Sequence, residues 1–131
     1  MKLKYIILIA LFISTVFYVL TSSTSISNYI AAQVNKRGDR PWAPKAHYYI
    51  AMYPYHMNET GQAMALYEAL AKNYPDSEYA IGAEFMIARI YDRQNNTGRA
   101  RELYREFLKK HGDSRWADNA RQRLKFLELP Y

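Results

Sequence analysis

At 131 residues the chain has room for one small domain and an N-terminal segment, and with half of its residues apolar it is not a wholly disordered polypeptide. It has no cysteine, which excludes disulfides, thiolate metal sites, covalent haem attachment and lipid anchoring through a thiol. A net charge of +6 leaves nucleic acid, anionic lipid and acidic protein as partners on charge alone.

Met1-Lys2-Leu3-Lys4 opens a stretch from Tyr5 to Leu20 that only Ser14 and Thr15 interrupt, followed by Thr21-Ser22-Ser23-Thr24-Ser25. A cleaved signal peptide fits the basic start and the small residues at 21 to 23. A membrane anchor of about 20 apolar residues fits the length, and the lack of an alanine-rich cut site weighs towards an uncleaved transmembrane helix over residues 1–22. Either way the leading lysines stay on the cytoplasmic side and the chain beyond Leu20 is placed outside, a bias that Lys36, Arg37 and Arg40 weaken without overturning. Residues 23–41 read as a linker holding a short amphipathic stretch, Ile26 to Val34, with Gly38 and Pro41 stopping any helix that descends from the membrane.

From residue 42 onward the chain matches itself at an offset of 37: Trp42-Ala43, Tyr79-Ala80 and Trp116-Ala117 fall in register, as do Ala46, Ala83 and Ala120, and Thr60-Gly61 with Thr97-Gly98. Leu66-Tyr67 matches Leu103-Tyr104, and Asp76-Ser77 matches Asp113-Ser114. A period in this range marks a solenoid whose units bury their apolar faces only by stacking. The spacing predicts five helices in a domain over 42–131. The first runs from Trp42 or Pro44 to Tyr53, where Pro54 should end or kink it, and the second from a Thr60 cap to Tyr74-Pro75. The third starts near Ser77, the fourth is capped by Thr97 and ends at Gly112, and the fifth is capped by Ser114. Ile50, Ile87 and Tyr91 are expected on the inward stripe.

Little in this pattern carries catalysis. His47, His56 and His111 lack metal-ligand spacing, so no metal or other cofactor is expected. Asn58-Glu59-Thr60 and Asn95-Asn96-Thr97 fit a glycosylation acceptor but occupy equivalent places between paired helices, where turn and cap residues belong. There is no glycine-rich phosphate loop and no nucleophile elbow, and an enzyme is not expected. Between residues 99 and 125, Arg99, Arg101, Arg105, Lys109, Lys110, Arg115, Arg121, Arg123 and Lys125 stand against four acidic residues, a candidate basic face. No nucleic-acid-binding motif accompanies it, which leaves an ordinary solvated helix face, an acidic protein or anionic lipid.

In the best copy Ile87-Ala88 is followed by Tyr91, Ala100, Tyr104, Phe107 and Gly112, and the earlier copy reads Ile50-Ala51, Ala63, Tyr67, Leu70 and Pro75. This resembles the tetratricopeptide repeat, a helix-turn-helix unit of about 34 residues. The three extra residues and the Tyr74-Pro75-Asp76-Ser77-Glu78-Tyr79-Ala80 junction resemble the longer repeats of bacterial envelope proteins of outer-membrane assembly and Tol-linked division. The resemblance implies a helical solenoid of about two and a half repeats, which with the N-terminal apolar stretch makes an all-α chain, a transmembrane helix followed by the solenoid. It further implies a groove lined by first helices: Lys45, Tyr48, Met52, Tyr55 and His56, then Phe85, Arg89, Asp92 and Arg93, then Asn119, Gln122 and Phe126. Of these, Tyr48, Tyr55, Phe85, Arg89 and Arg93 are expected to carry the binding, and none of the five is needed for the inward stripe, so their replacement should leave the fold intact. The function so implied is non-enzymatic protein–protein interaction: a membrane-anchored accessory subunit or assembly factor of an envelope complex, binding a partner's acidic segment and leaving a homo-oligomer open. Its place is a bacterial-type inner membrane, with the N-terminus cytoplasmic and the repeats periplasmic. The rival is a secreted periplasmic protein, its N-terminus removed, binding cell-wall or anionic envelope material.

Overall fold

The structure, a computed structural model, describes residues 2–21, 23–36 and 39–129. Among them are seven helices: α1 (Lys2–Thr21), α2 (Ser23–Asn35), α3 (Ala43–His56), α4 (Thr60–Asn73), α5 (Glu78–Arg93), α6 (Thr97–His111) and α7 (Ala117–Leu127). The described residues hold no strand.

The repeat is visible as two helical pairs, α3 with α4 and α5 with α6, followed by α7 as the first helix of a third unit. The turns inside the two pairs reverse through Asn58 and Asn95, at φ 63 and 58 degrees, a left-handed conformation that asparagine tolerates better than most side chains. That requirement accounts for both asparagines of the acceptor-like triplets. At the start of α5 the Ser77 hydroxyl accepts the Tyr79 backbone N–H at 3.1 Å, as the sequence leads one to expect. α6 differs: Asn96, one residue before Thr97, caps it by accepting from the Arg99 N–H at 3.3 Å. Thr60 is the first residue of α4 and no side chain caps that helix, while α7 begins at Ala117, three residues past Ser114.

Pro54 lies inside α3, which continues to His56. In the last turn it removes a single helical hydrogen bond, and its own carbonyl accepts the Glu59 N–H at 2.9 Å, so the helix ends two residues later than the proline implies.

The core is built from repeat equivalents. Tyr67 with Tyr104 and Leu70 with Phe107 are each 37 residues apart, and all four are almost wholly removed from solvent. Small residues from the facing helices, Ala51, Ala63, Ala83, Ala88, Ala100 and Ala120, let these rings seat between backbones. The expected stripe is shifted: Ile50, Ile87 and Tyr91 are only half-buried, whereas Tyr48, Phe85, Met86 and Ile90 are buried.

Residues 23–41 are more than a linker. α2 buries Ser27, Ala31 and Val34 at helical spacing, and it packs on α3. Its last residue, Asn35, accepts a hydrogen bond from His47 Nε2 at 2.8 Å. α1 precedes it with its apolar side chains in the open; Leu3, Phe12 and Phe17 are each about two-thirds exposed, at 69, 70 and 66%. Among the described residues no helix is long and apolar enough to cross a membrane, so the span expected over 1–22 is not found there.

Candidate functional site

First helices of successive units lie side by side, and the surface they share is hollow. Tyr55 from α3, Arg89, Asp92 and Arg93 from α5, Asn95 and Thr97 from the following turn, and Arg123, Phe126 and Leu127 from α7 enclose about 440 Å³. A second hollow of about 210 Å³, lined by Phe85, Arg89, Asn119, Gln122 and Arg123, continues it along α5 and α7.

Gly82 lets α7 approach α5 this closely. A Cβ at that position would lie 2.5 Å from Trp116 Cζ2 and 2.9 Å from Tyr48 Cε2, so no other residue leaves room for the indole beneath the groove.

Electrostatics distinguish the three arginines. Arg93 donates to the Tyr55 carbonyl at 2.7 Å with its guanidinium 4.8 Å from the Tyr55 ring centre, which locks it to α3. Arg123 grips Asp92 through two nitrogens, at 2.8 and 3.0 Å, tying α7 to α5. The Tyr104 hydroxyl reaches the same carboxylate at 3.3 Å; burial first and the Asp92 charge second push its pKa well above the ordinary value, so it remains a donor. Arg89 stands over the Tyr55 and Phe85 rings, 5.6 and 5.9 Å from their centres, and has no carboxylate within ion-pair distance among the described residues. The hollow therefore holds three guanidinium groups and one already engaged carboxylate over an aromatic floor. Its net charge suits a carboxylate-bearing ligand, and nothing in it supplies a nucleophile or a general base free to react.

Of the groove residues expected from the repeat, Tyr55, Phe85, Arg89, Asp92, Arg93, Asn119, Gln122 and Phe126 line the two hollows. Lys45, Met52 and His56 do not; Lys45 and His56 are exposed elsewhere, and Met52 packs half-buried on the core. Tyr48 is core, with the rings of Tyr67, Tyr79 and Trp116 centred 5.7, 5.8 and 6.3 Å away. Tyr55 and Phe85 are likewise only 7 and 4% exposed. Replacing these three aromatics would thus damage the fold, contrary to the expectation that they stand clear of it. Arg123, Asn95, Thr97 and Leu127 are additions. Asn119, Arg123 and Phe126 follow helical spacing on α7, the signal that places Arg123 in the groove rather than on an outer face.

The basic run does not form one face. Six of its nine cations pair with carboxylates: Arg99 with Glu102, Arg105 with Glu128, Lys110 with Glu84, Arg115 with Glu78, Arg121 with Asp118 and Arg123 with Asp92. Arg115 also lies 4.6 Å from the Trp116 ring centre, and Arg121 donates to the Gly112 carbonyl at 2.6 Å. That leaves Arg101, Lys109 and Lys125 without an ion pair among the described residues. Nor do the described residues group three His, Asp or Glu side chains for a metal.

Residues 45–77 and 83–114 match the tetratricopeptide repeat family model, one match for each helical pair. No curated protein matches the chain.

Proposed function

We propose that this chain, a tetratricopeptide-repeat protein, is a non-enzymatic adaptor that receives an acidic segment of a partner protein in the groove between α3, α5 and α7. Repeats of this family are in general interaction scaffolds rather than catalysts. The observation that carries the reading is Arg89: a guanidinium held over two aromatic rings, facing a hollow, with no carboxylate of its own chain to satisfy it among the described residues. A partner's Asp or Glu would complete that pairing while an apolar neighbour packs on Phe126, which is 59% exposed.

On this reading α1 keeps the adaptor at a bacterial-type inner membrane, its lysines towards the cytoplasm and the repeats outside, as an accessory subunit or assembly factor of an envelope complex. The exposed apolar side chains from Leu3 to Tyr18, behind the basic start, support it. The chain should resist carbonate extraction from membranes; recovery in soluble form with a new N-terminus near Ser23 would favour the secreted rival instead.

Arg89→Ala tests the groove. The variant should keep its helicity, since Arg89 is exposed and its guanidinium lies over ring faces without an ion pair among the described residues. It should lose about thirtyfold in affinity for the partner recovered from mild-detergent membranes, corresponding to about 2 kcal/mol for an interface arginine anchor. Wild-type association should also weaken as salt rises past physiological strength. Undiminished co-purification of Arg89→Ala would rule the groove out as the contact.

A further inference from the structure

The repeat leaves one face of α3 open that its equivalent on α5 keeps closed. Met86 and Ile90 of α5 are buried, but Tyr49 and Tyr53, which precede them by 37 residues, are 53 and 45% exposed. Lys45, Tyr49, Tyr53 and Met57 recur every four residues and form one outward stripe. α2 does not cover it. Where the two helices meet, Ile26, Ser27 and Ile30 face Ile50 and Tyr53 across a shallow apolar groove of about 330 Å³, and Tyr29 adds a third exposed phenol.

The chain around this stripe carries an excess of positive charge. From Lys36 to Asn58 the chain carries four basic residues (Lys36, Arg37, Arg40 and Lys45) and one acid, Asp39, for a net +3; from Glu59 onward it carries twelve against eleven, for +1. Six of those twelve cations pair with carboxylates. No described carboxylate pairs with Lys36, Arg40 or Lys45. The stripe also follows the exposed apolar side chains of α1 directly along the chain, through α2.

We propose that the α2–α3 face lies on the surface of an anionic bilayer, with Tyr29, Tyr49 and Tyr53 at headgroup depth and Lys36, Arg40 and Lys45 on lipid phosphates. Tyrosine suits that position because its ring is apolar and its hydroxyl wet, and lysine because its stem can lie along the apolar surface while the ammonium reaches the phosphate. The attraction of basic segments to anionic headgroups supplies the orientation that a single anchoring helix lacks. The inference rests on the proposed membrane attachment of α1 and adds to it: the repeats are held down on one flank, leaving the α5–α7 groove facing away.

The chain's lack of cysteine permits a direct test. The full-length protein carries one engineered thiol with an environment-sensitive fluorophore, either Met57→Cys on the stripe or Glu102→Cys on α6. It is reconstituted into phosphatidylcholine vesicles with or without phosphatidylglycerol, some bearing nitroxide at the headgroup. The label at 57 should be quenched severalfold more than the label at 102 when phosphatidylglycerol is present. High salt, or Lys36→Glu with Lys45→Glu, should abolish the difference while the chain still floats with the vesicles. Flotation with equal quenching at both positions would overturn the face and spare the anchor. Protection of the 57 label that depends on protein concentration and not on phosphatidylglycerol would also overturn it, assigning the stripe to a second copy. Failure to float with either vesicle would overturn the attachment of α1 itself and the face with it.

Discussion

α3 and α5 occupy equivalent places in successive units, yet the same positions are packed differently. Gly82 sits under Trp116 and Tyr48, whereas Lys45, its counterpart, is exposed. Glu84 faces Lys110 and His111 from the outer side of α6, whereas its counterpart His47 is sealed beneath α2. Position within a repeat sets the geometry of a side chain, but the neighbouring element decides its burial. α5 has helices on both flanks, while α3 has a full repeat on one flank and α2 alone on the other.

The comparison breaks most completely if the two repeats do not fold together. Tyr67 and Tyr104 are the matched core rings, both fully buried, and burial pushes both phenols well above their ordinary pKa. Tyr104→Asp would bury an unpaired carboxylate where the Tyr104 ring is wholly removed from solvent, a loss of about 3–5 kcal/mol that a domain of this size does not survive. Circular dichroism should show the helices lost in one transition, and the same for Tyr67→Asp. Retention of the helices of the other repeat in either variant would mean that the units are independent and that stacking is not what stabilises them.

The next effect is smaller and tests one position in both repeats. Gly82→Ala forces Trp116 or Tyr48 to shift and should destabilise the domain by about 1–3 kcal/mol. Lys45→Ala, its counterpart, removes an exposed side chain and should change stability by less than about 0.5 kcal/mol. Thermal melts of the two variants side by side would show it; an unchanged melting temperature for Gly82→Ala would mean that α7 does not pack as described.

The period of 37 makes the paired helices, their turns and most of the groove legible, because an interaction that recurs leaves its trace twice. Asn58 and Asn95 are the plainest case, each standing where the backbone must turn left-handed. A feature that occurs once leaves no such trace. α2 has no counterpart in the repeat, and its serines and threonines read as linker until the burial of Ser27, Ala31 and Val34 against α3 is seen. The basic run misleads for a related reason: Arg105 pairs with Glu128 and Arg115 with Glu78, partners far apart in sequence that no local count of charge brings together. The family resemblance assigns Tyr48, Tyr55 and Phe85 to the groove; only Tyr55 and Phe85 reach it, and all three are wedged among core side chains. A repeat position does not by itself separate lining from core.

His47 gives the smallest effect and the most specific one, since it tests whether α2 belongs to the domain. Its Nε2–H donates to Asn35 at the end of α2, the Tyr74 ring lies 5.5 Å away, and Nδ1 has no hydrogen-bond partner among the described residues. Burial lowers its pKa from the ordinary 6.5, so the folded chain holds the imidazole neutral while the unfolded chain takes up a proton as pH falls through that value. The unfolded state then binds more protons than the native one. The stability that His47 contributes is complete above about pH 6.5 and declines as the solution is acidified towards the lower native value. His47→Gln keeps an N–H donor for Asn35 and does not titrate. Between about pH 7.5 and 5.5 the melting temperature of the native chain should therefore fall further than that of the variant, with the titration of every other group common to both. Amide exchange in α2 should quicken over the same range in the native chain only. If the two proteins lose stability in parallel, His47 is not sealed by α2, and the first repeat ends at α3.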